Sequence, residues 1–415
     1  MKKKRQNKRG DRASLKARSA VAAEVLQSSA DAASASSENA SSLPPSFFLQ
    51  KAEKCLESFP PEFALSLKFL RKGVSVHPND VSLLVRTAEM LTEEGRLDEA
   101  KQLLQKAIKI EPEKKPEKYF YLAQIEEGRT SLQLFRRASA LLEASLSDLD
   151  VSVAQAEQRQ RASGDAGQGA AAAATRLLKE ERRCVARQLV EAKCSVSELF
   201  MTDLCDEEEA EGACKTEIEE TLRISEKYDG AGLPDALYLH ASFLKTTGDI
   251  EGARSTSLRA AALIHEQLKQ RDENLRITAS TCEGDEDVSS RELRVNLARV
   301  LIDVQEPDAA VLLVSSCIEE DDQDADSWLI LSCGLFKANK FGAARESLEH
   351  LQQLLTASGV AAERDNPLCV HTNELLRIVK EEQAKEAATN GGGENDDEDD
   401  WEEEDDAEDV DMGDS

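Results

Sequence analysis

The stretch from Asp80 to Pro112 carries apolar residues at helical spacing, and this spacing is interrupted once, at Gly95. Glycine ends a helix readily because it adopts the left-handed backbone conformation without strain, and Pro112 stops the second run. The pattern therefore predicts two amphipathic helices joined by a tight turn. The faces that turn away from water are formed by Leu83, Leu84, Thr87, Ala88 and Leu91, and then by Ala100, Leu103, Leu104, Ala107, Ile108 and Ile110.

The small residues of this pair, Ala88, Ala100 and Ala107, lie where two helices must cross closely. Their order, with bulky residues between them and Pro112 at the end, resembles the tetratricopeptide repeat, a helix pair of about 34 residues. Such a pair cannot bury its apolar face alone, so one repeat predicts stacked neighbours.

Other segments of the chain are in register with the first pair. Pro78 lies one repeat length before Pro112, and two pairs of small residues, Ala298 with Ser332 and Ala310 with Ala344, have the same separation. Further helix pairs are predicted at about 45–78, 116–146, 175–224, 233–263, 291–322 and 324–355, with a capping helix at 373–385. The predicted fold is all-α, a tetratricopeptide-repeat superhelix (α-solenoid) from about 45 to 385.

Composition divides the chain further. The SGDAGQGAAAAA stretch has no apolar period and three glycines, so residues around it are predicted to form a flexible insertion. Both termini lack the apolar residues that a core needs. The predicted organisation is 1–44, a disordered basic and Ser/Ala-rich N-terminus; 45–147, the first half of the solenoid; 148–174, the flexible insertion; 175–385, the second half with a loop at about 271–289; and 386–415, a disordered acidic tail.

Charge is the strongest functional signal. The net charge is −29, and removing Glu394 to Ser415 (−15) and Lys2 to Arg18 (+8) leaves −22 on the middle of the chain. This balance argues against nucleic acid as the direct ligand and favours a basic partner. Trp401 stands alone within the acidic tail, where it is either an anchor for a partner or a chance aromatic residue.

Several function classes lack any signal. The sequence has no set of nucleophile, base and orienting residue and no phosphate-binding glycine loop, so we expect no enzyme and no cofactor. Nine scattered cysteines without a CxxC pair predict reduced packing thiols and no metal site. No apolar run has the length of a membrane span and the N-terminus lacks a signal-peptide core, so we expect no membrane association.

Two stretches carry a closer resemblance, KYFYLAQIEEGRTSLQLFRRASALLE (118–143) and SVSELFMTDLCDEEEAEGAC (195–214), which is densest at Met201–Cys205 and Ala210-Glu211. They resemble the fungal assembly chaperones of ribosomal protein L4 of the large subunit. The resemblance implies a repeat superhelix that holds the long internal loop of the newly made ribosomal protein, enters the nucleus with it and releases it at the early pre-ribosome. The basic N-terminus, the 148–174 insertion and the loop after Arg271 depart from that pattern.

Physical chemistry gives this function a separate rationale, because an acidic groove can replace the phosphates that such a basic loop will later contact. The repeat register predicts which side chains face the inner groove, namely Glu89, Glu93, Asp235, Glu292, Asp303 and Asp326, with Val85, Tyr238, Val295 and Phe336 between them. Carboxylates would pair with Lys and Arg of the client, and apolar residues would desolvate those pairs.

Three other interpretations stay open at this point. A histone-type chaperone would also use an acidic tail. An adaptor for heat-shock chaperones would need a basic clamp, for which only Asn296 falls at a suitable position. A plain scaffold would need no special residue. The basic N-terminal cluster is either an import signal that binds nuclear import factors or a solubilising tail, and we expect a monomer in the cytoplasm and nucleus.

Overall fold

The structure, a computed structural model, describes residues 43–162, 168–228, 230, 232–277, 288–359 and 366–390. These residues form fifteen helices and no strand. Two compact units divide at Ala260, and each is described by itself. Within the described ranges, no helix combines the length and the apolar character that a membrane crossing requires.

The first unit is built from helix pairs. Its helices are α1 (Pro45–Leu56), α2 (Phe63–Val76), α3 (Val81–Glu93), α4 (Leu97–Ile110), α5 (Glu117–Ile125), α6 (Gly128–Ala162), α7 (Gln168–Met201), α8 (Ala210–Lys227), α9 (Leu233–Thr247) and the start of α10 (Ile250–Ile277). From α1 to α9, helices that follow one another pack together, and the first helices of consecutive pairs also touch, α1 on α3 and α3 on α5. This nearest-neighbour stacking is the arrangement of a repeat solenoid.

The second unit contains the end of α10, followed by α11 (Arg291–Asp303), α12 (Pro307–Glu320), α13 (Ala325–Lys337), α14 (Phe341–Ala357) and α15 (Pro367–Asn390). Here α11 contacts α13 in addition to α12, and α15 covers α14. The terminal helix predicted at 373–385 is present and is longer than expected. The prediction of an all-α tetratricopeptide-repeat solenoid is confirmed.

Small residues lie at the helix crossings, as the register predicts. Ala88, Ala100 and Ala107 have no exposed surface in the first unit. In the second unit, Ala298, Ser332, Ala310 and Ala344 are 0–1% exposed. A larger side chain at any of these positions would push two helices apart.

Local capping sets where the first helices of several pairs begin. The carboxylate of Asp80 accepts a hydrogen bond from the Leu83 amide at 2.9 Å, and the Asp324 carboxylate does the same for Ser327 at 3.3 Å. Gly95, with φ +74°, ends α3 and lets the Arg96 amide donate to the Leu91 carbonyl at 2.8 Å. Such caps satisfy backbone groups that a helix end leaves without partners.

The prediction of a flexible insertion at 148–174 is wrong for the part of it that the structure describes. Residues 148–162 continue α6, and residues 168–174 begin α7. The reason is that the apolar period of α6 continues past residue 147: Leu142, Leu146 and Val153 are all buried on one face. Ion pairs join the two helices farther out, including Lys179 Nζ to Glu157 Oε1 at 2.7 Å.

Other boundaries also shift. The prediction of a loop at 271–289 is wrong for residues 271–277, which continue α10, and residues 278–287 lie outside the described residues. The predicted tail beginning at 386 is helical up to Asn390. The disordered termini predicted at 1–44 and 386–415, with Trp401, lie outside the described residues at 1–42 and 391–415.

The prediction of packing thiols holds for four of the described cysteines, Cys55, Cys194, Cys214 and Cys317, which are buried. It is wrong for Cys184 and Cys205, which are exposed at positions where the helix or turn faces solvent. The described residues contain no cluster of His, Cys, Asp and Glu that could hold a metal ion. Cys282 lies outside the described residues.

Candidate functional site

A concave pocket of about 940 Å³ lies in the first unit, between the α5–α6 junction, the C-terminal end of α7 and one face of α9. Four carboxylates line it: Glu126, Glu127, Glu198 and Asp203. No lysine or arginine is among the described residues that form its wall. We call this surface the acidic pocket.

The α5–α6 junction supplies two of these carboxylates. Only Glu126 and Glu127 separate the two helices, because Gly128 begins α6 with φ +56° and so permits a very short turn. Lys101 Nζ lies 2.7 Å from Glu126 Oε1, while the Glu127 side chain makes no ion pair within the described ranges. The short turn therefore places adjacent negative charges at the rim of the acidic pocket, only one of which is paired with a cation.

The opposite wall includes Met201, Thr202 and Asp203, where α7 ends. The Leu204 amide donates to the Leu199 carbonyl at 2.8 Å, which closes the turn, and the Leu204 side chain is buried. The Asp203 carboxylate accepts a hydrogen bond from the Gly128 amide at 3.2 Å. This contact holds the end of α7 against the α5–α6 junction, and beside it Arg129 Nε lies 2.8 Å from Glu207 Oε1.

Apolar side chains form the floor between these acidic rims. Phe135, Leu199, Met201 and Leu239 line the pocket. Phe135 and Leu239 also belong to the buried cluster that joins α5, α6, α7, α8 and α9. The pocket thus offers both negative charge and a rigid apolar surface, the combination that a basic side chain with a long hydrocarbon stem can use.

The acidic surface continues along α7 toward its middle. Glu191, Ser195 and Glu198 follow one another at spacings of four and three, so they lie on one face of the helix. Asp235 on α9 faces this strip beside Glu191. Desolvation by surrounding protein raises the pKa of the Asp235 carboxyl above its ordinary value, although the charge of Arg187 opposes the shift.

The neighbouring carboxyl behaves in the same way. Desolvation, and after it the negative charge of Asp235, raise the pKa of Glu191. Burial and the charges of Asp235 and Glu198 also raise the pKa of the Cys194 thiol. The strip is therefore an environment where negative charge is already costly and where an added cation would be favourable.

The predicted groove residues on α3 fall into different environments. Glu93 is exposed, Val85 is half-buried, and Glu89 is half-buried with its Oε2 2.7 Å from Arg86 Nη1. Desolvation and a hydrogen bond with Glu89 raise the pKa of Tyr121. Glu89 is thus already engaged by its own chain, and a client cation would have to compete with Arg86.

The predicted residues of the second unit are likewise mixed. Glu292, Asp303 and Asp326 are exposed, as a binding role requires. Phe336 is half-buried and packs on Phe341, with ring centroids 5.7 Å apart. Val295 is only 8% exposed, because its position on α11 faces the core, so little of its side chain is accessible to a client.

Of the ten predicted residues, Tyr238 alone lines the acidic pocket, and Asp235 lies one turn away on the same helix. The structure does not bring the others into this pocket. Counting the repeat register missed Glu126, Glu127, Glu198 and Asp203, because it assigns the groove to first helices of regular pairs. The Met201–Cys205 stretch was the available signal, since it lies at the wall of the pocket.

Comparison with known proteins agrees with this architecture. The model of the tetratricopeptide repeat family matches residues 81–114, the region from which the repeat was predicted. A Schizosaccharomyces pombe protein named as a probable assembly chaperone of rpl4 is 26% identical, over 63% of this chain and 68% of its own.

A structure of residues 1–338 of the assembly chaperone of RpL4 (Acl4) has the same fold, with a TM-score of 0.52 and 24% identity, covering 72% of this chain and 98% of that one. The APC/C hetero-tetramer Cut9–Hcn1 matches at a TM-score of 0.41 and 11% identity, covering 80% of this chain and 52% of the other. The resemblance predicted from residues 118–143 and 195–214 is confirmed: this chain is similar to proteins named as assembly chaperones of ribosomal protein L4.

Proposed function

We propose that this protein is a dedicated, non-catalytic chaperone of a newly made basic ribosomal protein, L4 of the large subunit. It binds the extended loop of that client, prevents its aggregation and delivers it for nuclear large-subunit assembly. One observation carries the proposal. The two stretches that resemble the L4 chaperones, 118–143 and 195–214, meet at Gly128 and Asp203 and enclose the acidic pocket.

The chemistry of the pocket suits such a client. A ribosomal-protein loop is rich in Lys and Arg because it will lie against RNA phosphates, and away from RNA it attracts any polyanion. Carboxylates at Glu127, Glu198 and Asp203 offer charge-assisted hydrogen bonds to these cations. The floor at Phe135, Leu199 and Met201 packs on their hydrocarbon stems and lowers the local dielectric.

The role requires no chemical step. The similarity to named chaperones and to repeat proteins supports a non-enzymatic function. RNA at the pre-ribosome would displace the chaperone through its higher charge density, so no nucleotide is needed. In this proposal the protein works as a monomer in the cytoplasm and nucleus, contacts no nucleic acid directly, and engages import factors through its basic N-terminus.

The test is a charge reversal inside the pocket. A double variant of the full chain, Glu127→Lys with Glu198→Lys, places two cations where the client's own cations should bind. We expect the affinity for a peptide of the L4 internal loop to fall by well over tenfold, because attraction becomes repulsion. The measurement is fluorescence anisotropy of the labelled peptide at constant ionic strength.

The control keeps the change in net charge and moves its position. Glu180→Lys with Glu181→Lys alters two exposed acids of the same helix, about 27 Å from Glu198 along its axis. This variant should bind the peptide within about twofold of the parent. Equal losses from both variants would show that net charge alone attracts the peptide, and the pocket would not be its site.

A further inference from the structure

The acidic pocket calls for a cationic occupant, and the chain carries one. Residues Lys2 to Arg18 contain nine basic side chains and one acid, Asp11, in a protein whose net charge is −29. The pocket wall has four carboxylates and no basic residue among the described residues. Complementary charge therefore exists within one molecule.

We propose that the segment Lys2–Arg18 occupies the acidic pocket of the client-free protein, and that the client displaces it. The proposal deepens the proposed function and rests on it in one respect, because displacement requires that the client use the same pocket. The occupancy itself requires only the pocket and the segment.

The attachment point favours this contact. The structure begins at Leu43, whose carbonyl oxygen lies 2.7 Å from His77 Nε2, so the N-terminal segment joins the fold at the start of α1. The α1, α3 and α5 helices lie side by side in the same unit as the pocket. Neighbouring axes are about 10 Å apart, so the pocket at the end of α5 lies about 20 Å sideways and about 18 Å along the helices.

The connection is long enough to span this separation. Residues 19–42 number 24, which can reach about 80 Å when extended. This reach exceeds the separation, so the basic segment is long enough to contact the pocket of its own molecule. A tethered ligand that can span the distance has a local concentration up to the order of millimolar, so even weak intrinsic affinity gives substantial occupancy.

The segment also matches the pocket in chemistry. Its cations come in two groups, Lys2–Arg9 and Arg12–Arg18, and Leu15 lies among the second group. A leucine flanked by cations can place its side chain on the apolar floor while the cations reach Glu127, Glu198 or Asp203. The pocket therefore provides more than a surface of negative charge.

The acidic tail is the competing partner within the chain. Residues 394–415 carry more charge than the pocket. The pocket differs in offering carboxylates beside an apolar floor. This difference favours the pocket for a segment in which Leu15 lies among the cations.

Such occupancy would regulate the protein in two ways. The bound segment shields the pocket from unrelated polycations. Every ligand must displace the segment at the same cost in free energy, so only a ligand of higher affinity binds. Such occupancy also links loading to exposure of the segment, because a bound client frees Lys2–Arg18 for partners that recognise basic peptides. Client loading and recognition of the basic segment would thus be coupled.

The first test detects the contact directly. A zero-length carbodiimide reagent joins an amine to a carboxylate that touches it, and the full-length protein is treated at low concentration to avoid links between molecules. We expect mass spectrometry to find links from Lys2, Lys3, Lys4 or Lys8 to Glu127, Glu198 or Asp203. Saturating L4 loop peptide should remove them. Links to residues 394–415 in place of the pocket would overturn the proposal.

The second test measures competition. Replacing Lys2, Lys3, Lys4, Arg5, Lys8 and Arg9 by Gln in the full chain removes six cations of the competitor. The loop peptide should then bind on the order of tenfold more tightly, as expected when a tethered competitor at millimolar concentration is lost. Arg5→Lys with Arg9→Lys keeps the charge and should leave the affinity unchanged.

The outcomes separate the two proposals. If the loop peptide binds the pocket but the Gln variant binds it no more tightly than the parent, the segment does not occupy the pocket and the proposed function stands. If the peptide fails to bind while the carbodiimide links to the pocket persist, the segment occupies the pocket and the proposed client is wrong. Weaker peptide binding by the Gln variant would also overturn the proposal that Lys2–Arg18 competes with the client for the pocket.

Discussion

At the scale of single residues, Ala343 and Ala344 are neighbours on α14 in opposite environments: Ala343 is exposed and Ala344 is completely buried at a helix crossing. Ala344→Leu should therefore lower the free energy of unfolding by about 1–3 kcal/mol through overpacking. Chemical denaturation of the full chain would measure the loss. Ala343→Leu makes the same substitution one residue away and should change the stability by less than about 0.5 kcal/mol.

Ala100 and Ala310 share the environment of Ala344 and should respond in the same direction. If Ala344→Leu unfolds at the same denaturant concentration as the parent, the crossing can open without cost, and the repeat register assigned to α12 and α14 is wrong.

The Glu191–Asp235 pair gives a prediction about pH. Both carboxyls have pKa values above their ordinary values, so their contribution to folding stability is full at acidic pH and is lost as pH rises through the raised pKa values. A cationic client favours the ionised forms. As pH is lowered, its affinity should therefore begin to fall at a higher pH than ordinary carboxyls, which titrate near pH 4, would give.

The titration can be assigned by substitution. Asp235→Asn removes one proton-binding group and should flatten the part of the decline in affinity that lies above the titration range of ordinary carboxyls, measured by peptide anisotropy. Glu180→Gln removes an exposed acid outside the strip and should leave the shape of the curve as in the parent. An unchanged curve for Asp235→Asn would place the client away from this strip.

At the scale of helices, α6 and α7 form a long antiparallel pair that composition alone did not predict. Val153 is 3% exposed and Val151 is 56% exposed on the same helix. Val153→Asp should destabilise the outer part of this pair by several kcal/mol, because an unpaired carboxylate would be buried. Hydrogen exchange of residues 148–162 and 168–180 would show faster exchange there.

Val151→Asp is the matched substitution on the exposed side and should leave the exchange of these amides near that of the parent. If the amides stay protected from exchange in Val153→Asp, the outer part of α6 does not depend on the burial of the Val153 side chain. The prediction of a flexible insertion at 148–174 would then regain support.

The helices also show what sequence could and could not predict. Regular pairs such as α3–α4 and α13–α14 were found because alanines and prolines recur at the length of the repeat. The α6–α7 extension was missed because glycine and alanine dominate residues 163–174, while Leu146 packs with Ala186 and Leu189 of α7, which are far from it in the sequence. The acidic pocket was missed for a related reason: Gly128 and Asp203 are far apart in the sequence, and no local period joins them.

At the scale of the whole molecule, negative charge is spread over the folded middle of the chain, and the net charge excluding both terminal segments is −22. This charge distribution predicts that the protein binds basic partners and does not bind nucleic acid. The affinity for a basic loop peptide should fall steeply as salt is raised from 50 to 300 mM, because the Debye length falls to less than half. Single-stranded RNA, a polyanion like the protein, should show no binding in the same buffers.

The comparison of ligands separates electrostatic attraction from specific fit. A scrambled loop peptide with the same charge should match the native peptide in salt dependence but bind more weakly at every salt concentration, since it loses register with the apolar floor at Phe135 and Leu199. Affinity that is indifferent to salt would remove the electrostatic account. Equal affinities of native and scrambled peptides would instead leave an acidic surface that binds any polycation, as a histone-type chaperone does.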